Sequence, residues 1–178
     1  MKLEIIPDQP VIEAGDYCLR PLRRSDAGVL SLYASDRRVA EATSSIPHPY
    51  PPGAAEAFIA RSLGDERDEY VWAMDGTGAG AGELLGVISL KCMDRGQAEI
   101  GYWVAPAFWN TGIASAAVQA LVEANPMECQ TYFAQVFQDN PASARVLTKA
   151  GFEYIGDAES FSVARNATVP TWTYLRKL

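Results

Sequence analysis

The chain is poor in the residues that build metal centres and disulfide frameworks. It has three cysteines, Cys18, Cys92 and Cys129, and one histidine, His48, in 178 residues. The cysteines are odd in number, widely spaced and free of any C-x-x-C pair. They sit in apolar, strand-like runs, which reads as buried free thiols rather than disulfides or catalytic nucleophiles. No metal is expected. His48 falls in an exposed proline-rich loop and is left out of the catalytic set. Long apolar runs are also missing, so no segment has the length to cross a bilayer. Met1–Gln9 carries Lys2, Glu4 and Asp8 and lacks the apolar h-region of a signal peptide. A cytoplasmic protein with no membrane partner is the expectation. Basic residues are in deficit, 15 against 22 acidic ones, for a net charge of −7. That deficit argues against generic nucleic-acid binding, which needs a basic face. It is compatible with a cationic substrate.

Apolar residues make up 48% of the chain and charged ones 21%, the balance of an ordinary globular protein, and the length suits one core. A single domain over 1–178 is expected, with no internal repeat. Tyr17–Leu22 reads as a first strand. Ser25 offers an N-cap to a helix over Asp26–Ala34, and a short second helix includes Val39. Ile46–Pro52 holds four prolines and must be a rigid loop. A helix over Gly53–Leu63 follows, then a strand over Tyr70–Asp75. Gly76–Gly82 is a flexible tip joining that strand to Leu84–Cys92. No helix follows these glycines and no Lys-Ser/Thr pair closes them, so a nucleotide loop is rejected there. Strands over Ala98–Val104 and Thr131–Phe137 bracket a helix over Thr111–Glu123. A helix over Pro141–Ala150 stops at Gly151, and Phe152–Ile155 and Thr171–Leu175 complete a sheet.

The chemistry concentrates in Ala98-Glu99-Ile100-Gly101-Tyr102-Trp103-Val104 and the run Ala105–Ser115 behind it. A strand enters a tight loop, and a helix opens at Thr111 or Gly112. First-turn amides of a helix have no internal partner, and the helix dipole favours an anion there. Gly112 lets a pyrophosphate approach the backbone, Ala114 keeps the next turn narrow, and Ser115 adds a hydroxyl. By the residues alone this is a phosphate site, or else a plain helix start with glycine for packing.

The segment Asn140-Pro141-Ala142-Ser143 through Ala150-Gly151-Phe152, taken with that loop, resembles the GCN5-related N-acetyltransferase (GNAT) superfamily and its RimJ/RimL-type branch. The resemblance also takes in Leu19-Arg20-Pro21-Leu22, Pro49-Tyr50 and the Glu99–Val104 strand, and so covers nearly the whole chain. It implies an α+β (mixed α/β) fold: a mostly antiparallel sheet in which strands 4 and 5 are parallel and splayed, flanked by helices. It implies acetyl-CoA as co-substrate. The acetyl group would pass to a primary amine, on a protein N-terminus or a small molecule, by direct attack in a ternary complex. A non-catalytic CoA-binding sensor is the alternative. The oligomeric state stays open between monomer and homodimer, since relatives often pair their last strands.

Residue by residue, Gly112 and Ala114 match the two small positions of the family's Gln/Arg-x-x-Gly-x-Gly/Ala loop, while Trp109 stands where Gln or Arg is usual. Asn110 stands where this branch often has Gly, and asparagine tolerates the left-handed region. Trp109, Asn110, Thr111, Gly112, Ile113, Ala114 and Ser115 would therefore hold the cofactor, with Asn140 on the pantetheine arm. The Val104 amide resembles the oxyanion donor. Glu99 aligns with the glutamate base of the histone-acetylating branch; alternatively it pairs with Arg20 or another cation and anchors substrate. Ser143 stands one turn before Leu147, which replaces the tyrosine acid of many relatives. It is either the thiolate's proton donor or a sulfur contact. Asn140 also suits an N-cap ahead of Pro141. Tyr50 and Tyr102 are assigned to the substrate pocket, Tyr102 as wall rather than chemistry. Acceptor contacts are expected from 37–63 and 161–171.

Overall fold

The computed structural model describes residues 9–178; Met1–Asp8, most of the stretch read as lacking an h-region, lies outside them. The described chain runs β1 (Ile12–Ala14), β2 (Tyr17–Pro21), α1 (Ala27–Ala34), α2 (Arg37–Ala42), α3 (Ala54–Ser62), β3 (Glu69–Asp75), β4 (Gly86–Cys92) and β5 (Gln97–Val104). It continues through α4 (Ile113–Ala124), β6 (Thr131–Phe137), α5 (Pro141–Lys149), β7 (Glu153–Ser162) and β8 (Ala167–Lys177). The strands form one sheet in the order β1-β2-β3-β4-β5-β6-β8-β7. Every neighbouring pair is antiparallel except β5 and β6, which are parallel. These are the parallel strands expected from the sequence, moved one place along by β1. Among the described residues no helix is long and apolar enough to cross a membrane.

Helices cover both faces of the sheet, and β3 shows why its sequence is apolar without interruption. Strand side chains alternate between faces. Tyr70, Trp72 and Met74 join the larger core, packed with Ile113, Ala117 and Leu121 of α4 and Leu147 of α5. Val71 and Ala73 join the smaller one, with Leu30 of α1 and Ala55 and Ile59 of α3.

Four expectations need correction. Ser25 caps nothing: it lies inside a 3-10 turn, Arg24–Asp26, and the Asp26 carboxylate instead accepts the Arg23 amide at 2.7 Å. Arg20 does not reach Glu99. Its guanidinium is buried and saturated, donating to Asp75 at 2.8 Å, to both Asp26 oxygens at 2.9 Å and to the Glu83 carbonyl at 2.7 Å. Cys129 is buried as expected but sits in the loop before β6, while Cys18 and Cys92 are strand residues that are only half-buried. The closing hairpin is longer than its apolar core suggests, because β7 runs on to Ser162 almost wholly exposed, Tyr154, Ile155 and Phe161 included, and so has no buried alternation to read.

Candidate active site

The site begins where β5 and β6 part. They pair at Gln97–Thr131, Ala98–Tyr132 and Glu99–Phe133, after which Ile100–Val104 and Ala134–Phe137 run on without pairing to each other. Each keeps its outer neighbour, β4 or β8, so the gap opens within an otherwise continuous sheet. At the far end of β5 the Ala105 amide donates to the Leu85 carbonyl. Hydrogen-bonded pairs alternate along an antiparallel ladder, so Val104, one residue back, turns its N–H and C=O towards the gap. Gly86, opposite Val104, permits this close approach: a Cβ there would lie 2.3 Å from the Trp103 carbonyl oxygen.

The loop after β5 is shaped by two left-handed residues, Asn110 at φ 60° and Gly112 at φ 83°. Asn110 thus adopts the conformation that its side chain tolerates. Gly112 is the N-cap of α4, and no side chain caps that helix. A Cβ at Gly112 would meet nothing within 4 Å, so the space over the first-turn amides is open. Trp109 and Thr111 hold the loop from within. The Trp109 indole donates to the Val104 carbonyl at 2.7 Å, and the Thr111 hydroxyl donates to the Phe108 carbonyl at 2.6 Å. The Arg38 guanidinium stacks 5.5 Å from the Trp109 ring centre.

Across from this loop, Asn140 caps α5, accepting the Ser143 amide at 3.4 Å, with Pro141 in the first turn. Both roles read for Asn140 are open to it, since the same residue lines the cavity. The Ser143 hydroxyl donates to the Tyr102 hydroxyl at 3.1 Å, and Tyr102 in turn donates to the Ser143 carbonyl at 2.9 Å. Burial pushes the Tyr102 phenol up to about 12, partly opposed by the Ser143 hydrogen bond.

These elements enclose a cavity of about 650 Å³. Val104, Trp109, Asn110, Thr111, Gly112, Ile113, Ala114, Ser115, Asn140, Ser143 and Tyr102 all line it. Among the further liners not assigned to the cofactor from the sequence are the cations Arg145 and Lys149, one turn apart on α5, with Arg38 and Arg165 from other elements. Among the described residues neither Arg145 nor Lys149 is in an ion pair. Their i, i+4 spacing was the available signal.

A second cavity, of about 590 Å³, lies against the face that carries α1 and α3. Tyr50, Phe58 and Trp103 give it apolar walls, and Glu69, Lys91 and Glu99 form a cross-strand charged row. Burial raises the Glu99 carboxyl above its ordinary value; Lys91 pulls it down and Glu69 pushes it further up. Burial likewise raises Tyr50. Tyr102 and Trp103 line both cavities, so the two meet at the parted strands. Gln135 and Ser160 also line the second cavity and carried no motif that sequence reading could use, whereas Thr171 ends the 161–171 stretch from which acceptor contacts are expected. His48 lines neither cavity. Among the described residues no cluster of three or more His, Cys, Asp or Glu side chains is placed to hold a metal.

Comparison with known proteins bears on this arrangement. The family profile described as acetyltransferase (GNAT) domain matches residues 16–153. The uncharacterized N-acetyltransferase YoaA of Bacillus subtilis (strain 168) is 31% identical over 96 residues, 52% of this chain and 54% of its own length. The match therefore spans about half of that relative. The microcin C7 self-immunity acetyltransferase MccE, solved with acetyl-CoA and AMP, aligns with a TM-score of 0.80 and 17% identity, covering 93% of this chain and 94% of that one. RimL, a ribosomal L7/L12 alpha-N-protein acetyltransferase solved with coenzyme A, aligns with a TM-score of 0.81 and 18% identity, over 95% of this chain and 98% of that one. At these identities the two structures speak for the fold.

Proposed function

The chain belongs to the acetyltransferase (GNAT) family, and from that premise we propose that it moves an acetyl group from acetyl-CoA to a primary amine within a ternary complex. The observation that carries this reading is the meeting of two cavities at Tyr102 and Trp103, where β5 and β6 separate. One cavity offers the open first turn of α4 and the cations Arg145 and Lys149, which suits the phosphates of CoA. Edge backbone of β5, left unpaired beyond Glu99, offers hydrogen bonds to the amides of a pantetheine arm. The other cavity offers a carboxylate and apolar walls to an amine.

The geometry supports a role for each residue. The Val104 N–H, turned into the gap, donates to the thioester oxygen as negative charge grows on it. Glu99, held above its usual pKa by burial, takes a proton from the acceptor ammonium through water. The freed amine attacks the acetyl carbon and the carbon–sulfur bond breaks. The second proton that the attacking nitrogen sheds on becoming an amide balances the one the departing thiolate takes up by way of the Ser143 hydroxyl. The Ser143 hydroxyl is itself fixed by Tyr102, so Tyr102 is a positioning residue as well as a wall. Within the family, the RimJ/RimL-type branch is the reading that the shared fold supports.

Titration calorimetry with acetyl-CoA, beside a thiol-release assay over a panel of amines and peptides, tests the proposal. Binding with transfer to at least one amine is expected. Binding without transfer to any would leave a CoA sensor in its place, and absence of binding would remove both readings.

A further inference from the structure

We propose that Trp109 is a positioning residue for the transfer step: its indole N–H holds the Val104 carbonyl and thereby aims the Val104 amide at the thioester oxygen. The inference rests on the acetyl-transfer reading above, in which that amide faces the growing negative charge.

Val104 is the last residue of β5, and its two sides are supported unequally. On the β4 side the peptides that flank it are held. Trp103 lies opposite Val87 in the ladder, and the Ala105 amide donates to the Leu85 carbonyl at 2.9 Å. On the gap side β6 has already parted, its last pair with β5 being Glu99 and Phe133. Gly86, directly opposite, has no side chain to pack on Val104. A strand end tied along one edge opens more readily than the interior of a sheet. The chain then turns through Pro106–Phe108, and the Trp109 indole comes back to the Val104 carbonyl at 2.7 Å. It fills the place that the amide of a neighbouring strand would take in a closed sheet.

The two gap-side groups of Val104 are thereby given different fates. In an extended residue the N–H and C=O point to the same side, so fixing the direction of one fixes that of the other. The carbonyl is occupied, and the N–H stays turned into the gap as a donor. A bare carbonyl there would set partial negative charge beside the oxyanion and oppose it, and the indole N–H offsets that charge. Burial does not account for the residue, because its ring is 44% exposed. One ring face carries the Arg38 guanidinium, itself held by Asp36 at 2.8 Å, which keeps the indole plane from turning.

The test reads the thioester directly. Acetyl-CoA isotope-labelled at the acetyl carbonyl is bound with no amine present, and its carbonyl stretch is followed by difference infrared spectroscopy. A hydrogen bond to that oxygen lowers the stretch. Wild type should lower it, and Trp109→Phe, which keeps a ring and removes the N–H, should return it towards the value of free acetyl-CoA. The same variant should slow single-turnover transfer about tenfold, short of the ~10²–10³-fold lost when such a donor is removed outright. Its acetyl-CoA dissociation constant should change less than about threefold, since the interaction belongs to the transition state. Trp109→Gln removes the ring and supplies an amide N–H of similar reach, so it should recover the lowered stretch and transfer faster than the phenylalanine variant. Should the phenylalanine variant not fold, Trp109→Met, likewise without an N–H, carries the same expectations. A variant without the N–H that keeps the wild-type stretch, or transfers unslowed, overturns the inference and leaves acetyl transfer standing. A loss shared equally by the glutamine variant, or one that follows the ring into lost affinity, overturns it too. If wild type binds no acetyl-CoA, or binds it with an unshifted stretch, the reading beneath falls first and this inference with it.

Discussion

Glu99 occupies a half-buried strand position where desolvation outweighs the pull of Lys91, so its carboxyl ionises above the usual range. A base works only when ionised. Turnover should therefore rise with pH through that raised value, and Glu99→Gln should abolish this limb. General-base help is worth about 10²–10⁴-fold, so a loss of that order is expected in turnover, with acetyl-CoA affinity nearly unchanged. A pH–rate profile of both enzymes decides it. Stability carries the opposite sign. The folded state holds the Glu99 proton more tightly than the unfolded chain does. Wild type is thus destabilised as pH rises from the ordinary glutamate value through the raised one. The glutamine variant should melt higher than wild type above that window and show no such advantage below it. Ser143→Ala should slow single-turnover transfer at least tenfold if the hydroxyl feeds a proton to the thiolate. Its effect would be only about 0.5–1.5 kcal/mol, seen in binding and rate alike, if it is a mere sulfur contact. What was legible at this scale was local. Asn110 in the left-handed region and Asn140 as N-cap follow from their own side chains and their neighbours. Arg20 shows the limit: its partners Asp26 and Asp75 are set by which strand and turn fold over it, and nothing beside it in the sequence names them.

The loop between β5 and α4 was the most readable element, because a strand, a tight turn and a small-residue helix start lie consecutively in the chain. Gly112 tests it. Its φ of 83° strains any replacement, so Gly112→Ala reports strain alone, there being no atom within 4 Å for the methyl to strike. Gly112→Asp adds a negative charge over the same amides. Calorimetry should find acetyl-CoA binding weakened in the alanine variant and lost in the aspartate one, with both folded by circular dichroism. Equal affinities would remove the phosphate assignment. Gly86 was not singled out by sequence, since its reason lies across a strand pair. A methyl there would press on the backbone of Trp103 and Val104, which cannot swing aside. Gly86→Ala should therefore displace the Val104 amide and depress turnover more than acetyl-CoA affinity. The three-residue β1 escaped notice for a simpler reason: a strand so short has no period to read.

Across the whole molecule, one buried charge cluster ties the start of the sheet to its centre. Arg20 on β2 joins Asp75 at the end of β3 to Asp26 before α1. Burial alone would raise the Asp75 carboxyl, but hydrogen bonds from Thr77 and Arg20 outweigh it and leave it below the usual range. Its stabilising contribution is accordingly full above the ordinary aspartate value and fades only as pH falls through the depressed one. Arg20→Met would strand two carboxylates without their cation, and removing one partner of a buried pair costs about 3–5 kcal/mol. For a chain of this size that is a melting temperature lower by roughly 6–20 °C, measurable by calorimetry. The parted strands have a further consequence for how such a protein can change. Under the proposed reading, the donor is gripped by the stretch after β5, by α5, by α2 and by Arg165 at the β7–β8 turn, whereas the acceptor is surrounded by residues between 43 and 61 and by Ser160 and Thr171 within the β7–β8 strands. Substitutions at those acceptor-side positions, clear of Ala42 and Arg165, can redirect the enzyme to a new amine while its hold on the acyl donor is inherited intact.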